Sequence, residues 1–161
     1  MLFDDKTSII LTGGLDNFIL VWTDKGSLKY KMNSDRLGDM QLFKNGKMLL
    51  ILSATEFKIC VIDIDKKSEV HQIKEKEQIL CMQVSYTEKF LLTNCSQKSP
   101  EIHLWSLENF ELLNKFSGFK QEKFLIRCGM GYEGDQIIAQ GSEDGRIMFW
   151  NRNYNKPISE I

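Results

Sequence analysis

The stretch Gln136-Ile-Ile-Ala-Gln-Gly-Ser-Glu-Asp-Gly-Arg-Ile-Met-Phe-Trp-Asn151 reads as a strand, a tight turn and a second strand. Ile137, Ile138 and Ala139 form a short apolar run. Gly141, Ser142, Asp144 and Gly145 are turn formers, because glycine accepts positive φ and aspartate bonds its own backbone. Ile147, Phe149 and Trp150 then resume a β-favouring pattern. Two apolar runs split by a Gly/Asp turn predict a β-hairpin.

The same pattern recurs three more times. Trp105 stands 45 residues before Trp150, Ile62 stands 43 before Trp105, and Trp22 stands 40 before Ile62. Six residues ahead of these anchors sit Asp144, Ser99, Glu56 and Asp16. Gly141, Ser53 and Gly13 lie nine residues ahead, and in the third repeat one extra residue brings Cys95 to that place. A period of ~40–45 residues with four strands each is the mark of a β-propeller blade. On these residues the chain resembles the WD-repeat family. The family's Trp-Asp pair reads Trp22-Thr23, Ile62-Asp63, Trp105-Ser106 and Trp150-Asn151. The resemblance implies a buried hydrogen-bonded network in each blade, built from a Gly-His before the first strand, a turn aspartate, a Ser/Thr and the tryptophan. The first repeat keeps Asp16, Trp22 and Thr12, and the fourth keeps Asp144 and Trp150. At the Gly-His position of the fourth repeat stands Gly118-Phe119. An intact network is expected in no blade, which leaves the blades to apolar packing.

The expected fold is therefore all-β: a WD-type propeller segment of about four four-stranded antiparallel blades, at about 1–33, 34–76, 77–118 and 119–161. Within them, Asn45-Gly46 between apolar runs is a strong hairpin signal. The connection Cys95 to Pro100 replaces the Asp turn of the third blade, and Phe124 to Met130 is expected as the first strand of the fourth. Rings of this type usually carry seven or eight blades. The chain reads as part of a longer ring, or as a half-propeller closed by a partner or by self-association, with a closed four-blade ring as the alternative. Open β edges invite association.

Composition is ordinary for a globular chain: of 161 residues, 42% are hydrophobic and 27% charged. A net charge of −1 supplies no field toward nucleic acid or an anionic membrane. The N-terminus has acids where a secretory signal needs bases and an apolar core. Met48 to Leu52, the longest apolar run, falls far short of the ~20 residues of a membrane span. A cytoplasmic or nuclear protein is expected. Cys60, Cys81, Cys95 and Cys128 include no C-x-x-C pair and read as small buried hydrophobes.

The segment from Ile102 to Ile161 resembles something narrower. His103-Leu-Trp-Ser-Leu107, Phe116-Ser-Gly-Phe-Lys-Gln121, Phe124-Leu-Ile-Arg-Cys128, Gly141 to Arg152 and Pro157-Ile-Ser-Glu160 run in one register similar to the WD-repeat subunits of the GID/CTLH ubiquitin ligase. Upstream, Asp24-Lys-Gly-Ser-Leu28 and Lys44-Asn-Gly-Lys-Met-Leu-Leu50 keep that order. That family also carries helical LisH and CTLH segments used in assembly, which this sequence does not contain.

No catalytic constellation is legible. Gly129-Met-Gly-Tyr-Glu-Gly134 spells G-x-G-x-x-G, but a strand follows where a dinucleotide site needs a helix, so it reads as a turn. His71 and His103 lie 32 residues apart without ligand spacing, and no metal or cofactor is expected. His103 alternates with Ile102 and Leu104 and should face the other side of its strand. Lys74-Glu-Lys-Glu77 reads as a solvated turn. The best interaction surface is Lys115 to Phe124, where Phe116 and Phe124 are expected between blades, Phe119 reads equally as exposed or packed, and Phe119 and Lys120 are the candidate contact residues. Glu143 and Arg146 in the adjoining turn complete the expected contact set. The reading is a non-enzymatic protein-interaction scaffold of a GID/CTLH-type ligase, with other proteins as partners and neither nucleic acid nor membrane. The alternative is an adaptor in trafficking, ciliary or RNA-processing assemblies; a propeller enzyme is a remote third.

Overall fold

The computed structural model describes residues 1–4, 8–96 and 98–161. Gln97, inside the Cys95–Pro100 connection, lies outside the described residues. The described residues form strands and turns without helix, and the strands fall into four four-stranded antiparallel sheets, each in simple sequence order. The first is β1 (Leu2–Asp4), β2 (Ile9–Gly13), β3 (Phe18–Thr23) and β4 (Leu28–Asn33). Next come β5 (Leu37–Phe43), β6 (Met48–Ser53), β7 (Lys58–Asp63) and β8 (Ser68–Lys74). The third sheet is β9 (Gln78–Val84), β10 (Phe90–Ser96), β11 (Glu101–Ser106) and β12 (Leu112–Phe116). The last is β13 (Gly129–Gly131), β14 (Ile137–Gly141), β15 (Ile147–Asn151) and β16 (Pro157–Glu160). This is the blade pattern expected from the repeat.

The period is written into the backbone as well as the sequence. In every sheet the third and fourth strands slip register at the repeat anchor: between Val21 and Trp22, Val61 and Ile62, Leu104 and Trp105, and Phe149 and Trp150. A bulge at a fixed position re-aims one side chain and adds local twist. Its recurrence at all four anchors shows that the blades share one construction despite their worn signatures.

Two compact units divide the chain, Met1–Lys74 and Glu75–Ile161, each holding two blades. In the first, Ile9 and Leu11 of β2 and Ile19 and Val21 of β3 alternate inward, as period-two strands must. They pack with Met40, Leu49, Ile51 and Cys60 of the second blade. β6 is apolar from Met48 to Leu52 and buried along almost its whole length, the mark of a strand covered on both faces. In the second unit, Leu92, Ile102, Leu104 and Phe116 of the third blade meet Ile138, Met148 and Trp150 of the fourth. The fourth strands are wetter, and β16 is exposed along its length.

The first strand of the fourth blade departs from expectation. It spans only Gly129–Gly131 instead of Phe124 to Met130. Residues 117–127 run ahead of it as an irregular connection, because their backbone groups bond side chains instead of a neighbouring strand. Gly129–Gly134 is a short strand and turn, as read, with Gly134 at φ 66°.

Candidate functional site: a pinned connection above a buried polar network

The third blade contains a closed hydrogen-bonded network, which corrects the expectation that no blade would keep one. Thr93 Oγ1 on β10 donates to Glu75 Oε1 at 2.8 Å. Trp105 Nε1 on β11 lies 3.2 Å from both Glu75 Oε1 and Thr93 Oγ1. His103 Nδ1 donates toward both oxygens of Glu75 at 2.9 Å, and its Nε2 donates to Glu101 Oε2 at 3.0 Å. Lys115 Nζ completes the chain on Glu101 at 3.3 Å. The Thr and Trp sit where the family resemblance places them. The acid and base are exchanged: Glu75 lies ahead of β9 in the Gly-His position, and the histidine rides on β11. Glu75 is therefore not part of a solvated turn; its side chain is 5% exposed.

A carboxylate on each ring nitrogen favours the imidazolium form of His103. Burial opposes that charge, but the bonds from Glu75 and Glu101 outweigh it and raise the His103 pKa. Burial likewise works against the Glu75 carboxylate, and His103 overrides it, leaving the pKa below its ordinary value. Burial, followed by the Glu75 charge, pushes the Cys95 thiol up. Glu75, Cys95 and His103 bring an O, an S and an N within 4.8 Å of one another, a donor set that suits zinc. Two ligands on one zinc ion would stand about 3.3 Å apart. The 2.9 Å separation from His103 Nδ1 to both Glu75 oxygens is that of a proton-bridged ion pair.

The other blades keep fragments. Trp22 Nε1 donates to Thr12 Oγ1 at 2.8 Å in the first, while Asp16 stands exposed in the β2–β3 turn. In the second, Ile62 packs against the first unit's core and Asp63 accepts from the Lys66 backbone N–H at 3.0 Å. In the fourth, Trp150 is fully buried, with Phe116 and Phe119 at 5.9 and 6.2 Å between ring centroids. Its Nε1 meets no acceptor among the described residues. Asp144, which the family would aim at such a network, instead bonds Arg146 at 2.8 Å at the surface.

Above these networks, residues 117–127 are fixed from two sides. From outside, a single oxygen, Glu143 Oε1, accepts the successive N–H groups of Glu122, Lys123 and Phe124 at 2.8, 2.7 and 2.8 Å. The Phe124 N–H heads the causes that hold the Glu143 carboxyl below its ordinary value. Ser142 Oγ accepts from Lys120 N at 2.8 Å, and Glu143 N donates to Lys120 O. From inside, the buried Gln121 amide donates to Phe124 O at 3.0 Å and accepts from Asn94 Nδ2 at 2.7 Å. Asn94 and Gln140 both donate to Ile126 O. Both backbone polar groups of Phe124 are thus held by side chains. The Phe124 ring is nevertheless 68% exposed, and Leu125 beside it 57%.

This arrangement redistributes the predicted contact residues. Phe119 is 4% exposed and forms part of the core around Trp150. Phe124, expected between blades, is the exposed aromatic. Glu143 is engaged in holding the connection, and Arg146 pairs with Asp144 and with Glu160 at 2.6 Å. Lys120 keeps an exposed side chain. Asp135 gave no signal in the sequence, yet it ties the fourth blade to the third: its carboxylate accepts the N–H groups of Tyr86 and Thr87, at 3.2 and 3.0 Å, and the Thr87 hydroxyl. The turn position of Asp135, facing another turn across the blades, was not readable without the fold. Glu75 did leave a signal, as an acid in the Gly-His position of a repeat whose third strand carries His103.

No family model matches the chain. Individual relatives do. A WD repeat-containing protein of Dictyostelium discoideum is 34% identical over 119 residues, 73% of this chain and 20% of that protein. GID complex subunit 7 of Schizosaccharomyces pombe is 26% identical over 157 residues, 94% of this chain and 31% of that protein. A WD repeat-containing protein WDS homolog of Arabidopsis thaliana is 30% identical over 99% of the chain, again 31% of its own length. The chain spans less than a third of the length of these relatives. The relatives, the four blades with their shared anchor bulge and the Thr–Trp bonds agree: the chain belongs to the WD-repeat family.

Proposed function

We propose that the chain is a non-catalytic protein-interaction scaffold and serves as a docking or substrate-recruiting part of a GID/CTLH-type ubiquitin ligase. The observation that carries the scaffold reading is Phe124. A large apolar ring left in water on a backbone locked by Glu143 and Gln121 has the two properties of a contact anchor, accessible apolar area and low ordering cost on binding. The ligase assignment draws on the fission-yeast relative, which is a GID complex subunit and aligns over 94% of the chain. An adaptor role in a different assembly remains the second reading, favoured by the relatives whose names carry only the WD repeat. We place the protein in the cytoplasm or nucleus, where four buried free thiols suit the reducing conditions.

The test is affinity purification of the chain from its native cells, followed by mass spectrometry. Recovery of RING-type ligase subunits with a ubiquitin-conjugating enzyme is the expected result. Reproducible recovery of an assembly without ligase components would replace the ligase assignment with the adaptor reading.

A further inference from the structure

Beside the pinned connection lies an open groove of 760 Å³, walled by residues 96 and 98–100 on one side and 117–122 on the other. Its charged lining is Lys98, Lys120 and Glu122, and Lys123 stands exposed next to it. Glu143 lies close by in the chain of bonds, and its carboxylate accepts from three backbone N–H groups, which satisfy its hydrogen bonds and leave its negative charge in place. Lys98, Lys120 and Lys123 stand against Glu122 and Glu143, so these side chains leave the edge positive by one charge, on a chain whose net charge is −1. Two residues past the Glu122 wall come Phe124 and Leu125, both exposed.

We propose that this groove and the Phe124–Leu125 pair form one docking surface for an extended peptide segment of net negative charge carrying an apolar side chain. The acidic residues lie along Lys98, Lys120 and Lys123, and the apolar side chain covers Phe124 and Leu125. Charge complementarity selects the partner: lysines at a rim attract and orient acidic segments, and exchange of water for apolar contact at the aromatic supplies the anchor. Because the connection is held from both sides, the surface is present before the partner arrives, which lowers the ordering cost of binding. The proposal rests on the scaffold reading and names the chemistry of its partner.

The test uses the full chain against a display library of random 16-residue peptides, with enriched peptides remade synthetically and their affinity measured by fluorescence anisotropy. Acidic peptides with at least one large apolar residue should be enriched, and their affinity should fall as salt rises. The double variant Lys98→Glu, Lys120→Glu should weaken them by about tenfold or more, and Phe124→Ser by a comparable factor. All three positions are exposed, so circular dichroism and the melting temperature should match the parent chain. Enrichment of basic or uncharged peptides, absence of enrichment, or affinities indifferent to these variants would overturn the proposal. Co-purification with ligase subunits would survive any of those outcomes, so the failure of this surface is distinguishable from failure of the scaffold reading.

Discussion

Trp105 and Trp150 hold the same repeat position and meet opposite surroundings. Trp105 gives its N–H to Glu75 and Thr93, whereas Trp150 keeps its N–H buried without an acceptor among the described residues and works through ring contact with Phe116 and Phe119. The contrast yields a paired prediction. Trp105→Phe leaves buried acceptors short of a donor and should cost about 1–3 kcal/mol in denaturant unfolding. Trp150→Phe removes a donor that bonds nothing and keeps an aromatic in place. Its cost comes from lost ring volume alone and should stay below that of Trp150→Ala, for which about 3–5 kcal/mol is expected. Equal losses for the two phenylalanine variants would contradict the assignment of polar work to one blade and apolar work to the other.

The His103 network also makes stability depend on pH. The folded-state pKa of His103 is raised, so its contribution is complete below the ordinary imidazole value of 6.5 and is lost as pH rises through the folded value. Glu75 and Glu101 have lowered pKa values, the first because His103 overrides the cost of burial, the second chiefly through its bond to His103. Their contributions are complete above the ordinary carboxylate value of 4.5 and are lost as pH falls through the folded values. Urea unfolding should therefore show greatest stability between these limits and a decline on both sides. His103→Gln should flatten the alkaline limb, and an unchanged alkaline limb in that variant would remove the imidazolium from the account.

At the scale of elements, the connection 117–127 behaves as an ordered loop because side chains take the place of a strand partner. Glu143→Ala leaves three successive N–H groups without their acceptor. Amide hydrogen exchange at 122–124 should accelerate markedly while exchange in β10 and β11 stays as in the parent, since those strands keep their ladders. Uniform acceleration across the second unit would mean that Glu143 supports the blade and not the loop. This element also shows how far the sequence could be read. The strands follow from period-two apolar runs and Gly/Asp turns, and the third strands of the first and third blades, Phe18–Thr23 and Glu101–Ser106, each end one residue past their repeat anchor. Residues 124–128 carry the same apolar signal, Phe-Leu-Ile-Arg-Cys, yet do not form a strand. Their backbone is captured by the nearby Gln121 and by Asn94, Gln140 and Glu143, three side chains farther off in sequence whose convergence exists only in the fold. Phe124, expected between blades, is exposed for the same reason, and Phe119, which the sequence left open, is the one packed in the core. The repeat-position signal of Glu75 was masked by its neighbours, since an acid in the mixed-charge run Lys74-Glu-Lys-Glu77 looks solvated until β10 and β11 close over it.

For the molecule as a whole, the account joins a shared blade construction to one preformed contact surface. The repeat period, the anchor bulges and the Thr–Trp bonds explain why the chain folds as blades, and the relatives carry the same repeat. None of these features selects a partner, because one propeller architecture serves many functions and selectivity resides in the loops. The central claim is that the exposed Phe124 on its pinned backbone makes the contact. The measurement that tests it most directly is quantitative recovery of co-purifying proteins by the parent chain and by Phe124→Ser, expressed at equal levels in the native cells and matched in melting temperature. The account predicts that Phe124→Ser folds as the parent does and loses most of its partners. Full recovery of every partner by that variant would contradict it.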